Sequence, residues 1–453
     1  MPDEGRAALV GCQGIRQRKF AGFELLDNRL QLPHGLFETG LSRLCARAGN
    51  VVMHDASLIE MNQDLSAVGR GILPLRLKRG LLLSIGGSSM SDVGSFSRLA
   101  PSAAQLPVHA YLDEVILRRE VDACFRGGPG YVGHEAMLPE IGDYMSLAHE
   151  DHGRLLVRNQ QGIDLLSNVC RHRQAIMLEG RGHADAIVCP LHRWTYDLGG
   201  QLIGAPHFVE DPCRHLTRHR LSRWNGLLFE GQPALVRELS TTPFMQQLDF
   251  TGYLFHSVQA HRCEYNWKSF IEVYLDDYHV APFHPGLGQF VDCSRLQWHY
   301  GEHFSVQSVG ITDLKHPSTP VYRRWHEQVL RMHPEGLPEF GAVWMTIYPN
   351  VMVEWYPKVL VVSTLHPRGP QLTDNVVEFY YPEEIALFEP EFVLAHQAAY
   401  NETMLEDDEI AERMDRGRKV LMQRGANESG PYQSPMEDGM LHFHEYLRRQ
   451  VKY

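Results

Sequence analysis

Asn168-Val-Cys-Arg-His-Arg173, together with Ile187-Val-Cys-Pro-Leu-His192, decides how the rest of the chain is read. Cys170 and His172 stand as C-x-H; after sixteen intervening residues, Cys189 and His192 stand as C-x-x-H. Each half therefore offers one thiolate and one imidazole from a tight loop. Two sulfurs and two neutral nitrogens can hold a [2Fe-2S] cluster asymmetrically, with the cysteines on one iron and the histidines on the other, which raises its potential above that of an all-cysteine cluster. A structural zinc site also uses these residue types. It usually places its two histidines about three to five residues apart, however, and does not interleave one Cys and one His per loop.

The flanks favour iron. Trp194, Thr195, Tyr196, Asp197 and the Gly199-Gly200 turn follow the second pair, and the segment resembles the C-x-H…C-P-x-H-x-W-x-Y-D-x-x-G pattern of Rieske non-haem iron oxygenases. One departure is Gln174, which stands where that family commonly has glycine after C-R-H-R.

The 453 residues are too many for one ordinary core and fit two domains plus extensions. A formal charge of −12 argues against a nucleic-acid binder or a polybasic membrane-surface protein. The eight cysteines are scattered and two are already assigned to a metal centre, so a disulfide framework is not expected and a reducing cytoplasm fits. No apolar run reaches the roughly 18 residues of a membrane span.

Residues 1–104 carry no legible motif and end in the Gly/Ser-rich Ile85-Gly-Gly-Ser-Ser-Met-Ser. They are expected to be a poorly ordered extension, with Met90 as an alternative start that an intact-mass measurement would test. From residue 105 to 225 we expect a small antiparallel β domain with a flanking helix. Asp113 to Phe125 reads as that helix, with Leu117, Val121, Cys124 and Phe125 on one face and Gly127-Gly-Pro-Gly130 ending it. Leu155-Leu-Val-Arg158 and Ile163 to Val169 read as strands joined by the turn Asn159-Gln-Gln-Gly162.

Residues 226–453 form the second expected domain. Its landmark is Asn266-Trp-Lys268 followed by Asp276, His279 and His284. Tyr265 to Tyr278 has helical spacing, which puts Asp276 and His279 on one face, and Pro282 is expected to stop the helix so that His284 swings back. Two such histidines could supply two corners of a 2-His-1-carboxylate triad with open positions on Fe(II). The pattern N-W-K…D-x-x-H-x4-H resembles that of Rieske oxygenases. The resemblance implies that Asp276 links His279 to a cluster histidine, His192, of a neighbouring subunit, while Asp277 is read as a solvated acid. Five strand-like runs follow, at Phe304–Gly310, Val343–Tyr348, Val351–Tyr356, Val359–Thr364 and Asn375–Tyr381, punctuated by Pro349-Asn350 and Pro367-Arg-Gly-Pro370. Phe392 to Gln423 reads as a long helix. There Glu406, Asp407, Glu412 and Gly417 resemble the family's E-D-x4-E pattern and its following glycine, which selects Asp407 as the third ligand; spacing alone does not separate it from Asp408.

The likeness runs from about residue 106 to the end. It implies an α+β protein: an antiparallel β domain for the cluster and a helix-grip catalytic domain, a curved antiparallel sheet around the long C-terminal helix. The implied activity is that of an oxygenase α subunit. Electrons from a flavin reductase or ferredoxin would enter at the [2Fe-2S] cluster and pass to a mononuclear Fe(II), for O2-dependent hydroxylation of an organic substrate. We read that substrate as aromatic; the alternative is a monooxygenase acting on a quaternary amine or by oxidative N- or O-dealkylation. A homotrimer of α chains is implied, with or without a small β subunit. A pure electron carrier would leave the second constellation unexplained, and a zinc-stapled binding protein would be colourless.

Overall fold

Val359-Leu-Val-Val362 alternates between two cores: Val359 and Val361 pack on one side of a sheet, Leu360 and Val362 on the other. A strand buried on both faces needs apolar side chains at every position, so it reads as a continuous hydrophobic run rather than an alternating one. The structure, a computed structural model, describes residues 104–126, 130–150 and 153–453. The extension expected over 1–104 lies outside the described residues apart from Ala104, as do Gly127 to Pro129, where the first helix was expected to end.

The sheet just entered has seven antiparallel strands in the order Tyr253–Cys263, Leu372–Pro382, Val359–Gly369, Val351–Tyr356, Ala342–Ile347, Phe304–Ile311 and Val291–Tyr300. One face packs under the helices Pro320–Met332 and Pro390–Gln423, through Tyr322, Trp325, Phe392 and Ala399. The opposite face, with Val306, Met345, Val353 and Leu360, packs against Tyr131, Met137, Leu227 and Phe229. The α+β, helix-grip class expected from the sequence is the class observed. Pro367 does not end its strand, which continues to Gly369 through an irregularity.

Residues 130–230 form smaller antiparallel sheets: Gly130–His134, Leu227–Glu230 and Leu221–Trp224 in one, and five strands centred on Arg154–Asn159 in another. Asn159 pairs with Gly162 across a two-residue turn. The Asn159 carboxamide oxygen accepts from Gln161 N at 2.9 Å and Gly162 takes φ +133°, as a tight turn demands. A third sheet, Ile187–Val188, Thr195–Tyr196 and Leu202–Gly204, carries the second ligand loop.

The N-terminal helix lies elsewhere. Asp113 caps Glu114–Glu120 by accepting from Val115 N and Ile116 N, and the chain continues as a π-turn over Val121–Phe125. Its apolar face packs with Trp267, Ile271, Met440 and Phe443, and not with the β domain it precedes in sequence. Buried polar groups join these segments. Lys268 Nζ and Trp267 Nε1 donate to Glu120 Oε2 at 2.8 and 2.9 Å. Arg418 Nη2 donates to Glu272 Oε2 at 2.6 Å, and His444 Nε2 lies 2.9 Å from Glu272 Oε1. Burial pushes the Glu272 pKa up, but Arg418 and His444 outweigh it and hold the carboxyl down near 2. The N-W-K motif is thus an anchor that fixes where the next helix points.

Candidate redox and metal centres

The two cysteine-histidine loops are built alike. Gln174 N donates to Cys170 O at 3.0 Å and Arg193 N to Cys189 O at 3.1 Å, and both closing residues take left-handed backbone, φ 56° and 60°. Gln174 therefore adopts the conformation that glycine would take more easily, and the loop geometry is kept. Cys170 and Cys189 are 1% exposed, whereas His192 is exposed and His172 half-buried. The His172 and His192 rings lie 4.7 Å apart, and His172 stacks on Trp194 at 4.9 Å. Tyr196 reaches the same place: its hydroxyl accepts from Arg171 N at 3.1 Å and lies 3.6 Å from Cys170 Sγ. The His172 Nδ1 atom is buried without a hydrogen-bond partner. Described groups whose ligand atoms all fall within 4.8 Å of one another occur at two other places and not among these four residues.

The second centre forms where two segments meet. The helix Trp267–Tyr274, capped by Asn266, ends sooner than expected, and Asp276 and His279 do not share a continuous helix. The reason is local: Asp276 Oδ1 accepts from Tyr278 N at 2.7 Å and His279 N at 3.2 Å, turning the chain before a second helix, Val280–Phe283. Pro282 lies inside that short helix, where its missing N–H costs nothing, and His284 caps it. His279 Nε2 and His284 Nε2 come within 3.0 Å of each other, and Asp407 Oδ1 from the long helix lies 3.4 and 2.9 Å from them. Asp408 points away, accepting from Tyr265 Oη at 2.6 Å and lying 2.6 Å from His261 Nε2. Geometry thus separates the two acids that spacing could not.

Each outer imidazole nitrogen faces a carboxylate: Asp276 Oδ2 is 3.3 Å from His279 Nδ1, and Glu406 Oε2 is 2.7 Å from His284 Nδ1. This is the arrangement that orients metal-ligand histidines. Glu406 in this role is not legible from its spacing, although it adjoins Asp407. Burial lowers the His279 pKa, but Asp276 and Asp407 overcome it and push it up to about 10; burial raises Asp407, and the two imidazoles hold it below its ordinary value. Negative charge and two nitrogens converge, so the corner can accept a cation. Asp277, expected to be solvated, is 2% exposed, and burial, with Asp276 beside it, pushes its pKa up to about 7.

A cavity opens beside this corner between the sheet and the helices, with walls from Tyr274, Trp325, Trp344 and Tyr356. Four carboxylates line it, Asp276, Asp277, Glu354 and Asp407, and among the described residues no lysine or arginine does.

Known proteins share this organisation. The family described as "Rieske [2Fe-2S] domain" matches residues 129–220, and "Ring hydroxylating alpha subunit (catalytic domain)" matches residues 250–453. Putrescine 2-hydroxylase of Ralstonia nicotianae is 62% identical over 365 residues, covering 80% of this chain and 100% of that protein. The chain is a Rieske oxygenase α subunit. The Bordetella bronchiseptica putrescine 2-hydroxylase is 53% identical, over 80% of this oxygenase and 87% of its own length. The crystal structure of a quaternary ammonium Rieske monooxygenase superposes with a TM-score of 0.64 at 19% identity, covering 77% of this chain and 96% of that one, and so shares the fold.

A Rieske oxygenase α subunit is an oxidoreductase that holds a [2Fe-2S] cluster and a mononuclear iron, takes electrons from a reductase or ferredoxin and uses O2. Both positions in this oxygenase fit those groups: the orphaned His172 Nδ1 beside two buried thiols, and the convergent ligand atoms of His279, His284 and Asp407, whose Oδ1 is buried without a hydrogen-bond partner. No helix among its described residues is long and apolar enough to cross a membrane.

Proposed function

We propose that this oxygenase hydroxylates a small aliphatic diamine, with putrescine as the candidate. Cys170 and Cys189 hold one iron of the cluster and His172 and His192 the other. His279, His284 and Asp407 hold the Fe(II), and Asp276 steadies His279 and links it to His192 of a neighbouring α chain in a homotrimer, with or without a small β subunit. Iron at the triad supplies O2 activation once reducing equivalents arrive. The surrounding residues align the substrate and exclude water. Its proposed setting is the cytoplasm.

The observation that carries the substrate class is the cavity's lining: four acidic side chains and aromatic walls, with His279, His284 and His396 but no lysine or arginine among the described residues. Ammonium groups match such a lining through ion pairing and cation–π attraction. An apolar ring would leave Glu354, 5% exposed, without the ion pair that an ammonium group supplies. The full-length likeness to putrescine 2-hydroxylases supports the same reading.

The test is turnover with a reductase and isotopically labelled O2 on a panel of putrescine, choline and biphenyl. Putrescine is expected to gain one labelled oxygen atom; oxygenation of biphenyl with putrescine untouched would overturn the assignment.

A further inference from the structure

Three neighbouring strands set Gln307, Trp344 and Glu354 in one row across the sheet, Gln307 paired with Trp344 and Trp344 with Glu354. Directly paired residues project to the same face, and all three line the cavity. One polar end of this row lacks a donor. Gln307 is 2% exposed; its Nε2 donates to Tyr274 O at 2.8 Å, which leaves Oε1 buried with no partner. Glu354 Oε2 accepts from Tyr356 Oη at 2.6 Å, and that hydroxyl in turn accepts from Trp344 Nε1 at 2.9 Å. The chain from indole to phenol to carboxylate fixes the acid's orientation without neutralising it. A carboxylate and an unpaired amide oxygen flanking an indole match an ammonium group, which brings three donors and a charge that the ring attracts.

We propose that Glu354 binds an ammonium group of the substrate, with Gln307 as a second acceptor and with Tyr356 and Trp344 as positioning residues that set the carboxylate. The assignment rests on the amine-hydroxylating reading above. It adds the residue that distinguishes a charged diamine from an uncharged molecule of the same length. The hydrogen bond of Glu354 is to Tyr356 and not to the His279, His284 and Asp407 corner, so its part is binding and alignment.

The test is anaerobic equilibrium dialysis of the holoenzyme against putrescine and its neutral analogue 1,4-butanediol. Glu354→Gln keeps the volume and removes the charge, and should weaken putrescine binding about 100-fold while narrowing the preference over the diol by a similar factor. Glu354→Asp, which keeps the charge, should recover part of that loss. Tyr356→Phe should raise KM about 10-fold and change kcat far less, because it loosens an acid that acts in binding. The cluster's visible spectrum and far-UV circular dichroism check that each variant is folded. Wild-type binding of putrescine with equal binding by Glu354→Gln would overturn the anchor alone. No binding by the wild-type chain would overturn the amine reading and the anchor together.

Discussion

At the scale of single residues, the proposed triad of His279, His284 and Asp407 is set by the carboxylates around it. His279 and His284 present Nε2 to a common point while Glu406 hydrogen-bonds the opposite nitrogen of His284 and Asp276 Oδ2 lies 3.3 Å from that of His279. Asp276 does two jobs: Oδ1 caps the turn and Oδ2 faces His279. Asp276→Ala should therefore cost about 1 kcal/mol of stability as a lost cap. It should also lower product formation about 10- to 100-fold relative to reductant consumed. Iron and acid-labile sulfide assays should show both centres still loaded, and unchanged turnover at full iron content would refute the proposed bridge. The choice of Asp407 over Asp408 also belongs to this scale. Both sit in one acidic helix run, and only the partners His261 and Tyr265 show that Asp408 is already engaged.

At the scale of elements, the seven-stranded sheet serves two cores, and its edges explain what pattern reading missed. Tyr253–Cys263 and Val291–Tyr300 are the outermost strands and mostly half-exposed or exposed, so they lack the apolar runs that mark the five inner strands. On the face turned to the β domain, Glu378 is buried and accepts from Tyr131 Oη at 2.6 Å and Tyr380 Oη at 2.8 Å. Burial outweighs these bonds and pushes its pKa from 4.5 up to about 7. The folded chain thus holds a proton there that the unfolded chain has released, and stability falls as pH rises through that window. A difference of that size corresponds to about 3 kcal/mol. Glu378→Gln should remove this dependence: its unfolding midpoint should gain on the wild type between about pH 5 and 7, and parallel pH profiles would rule the explanation out.

At the scale of the whole molecule, one chain carries a redox centre in one layer and an oxygen-activating corner beyond the sheet. Under the proposed transfer between subunits, a mixed oligomer of a Cys170→Ser chain, lacking the cluster, and a His284→Ala chain, lacking the mononuclear iron, should recover turnover that neither variant shows alone. Co-expression and activity measurement test this, and silence from a verified mixed oligomer would place the transfer within one chain. The candidate ligand residues were legible in the sequence because metal chemistry demands particular side chains at short spacings, which folding cannot hide: C-x-H, C-x-x-H and H-x4-H are local statements. The inner strands and the long helix were legible for a related reason, since burial leaves a periodic trace along the chain. Only the tertiary structure could decide that the helix before residue 126 joins the second core, that Glu406 orients His284 and that Asp407 is the acid facing the histidines. The same holds for Gln307, Trp344 and Glu354 forming one row. Those relations depend on which segments, tens to hundreds of residues apart, share a buried volume, and no local pattern of residue types records that.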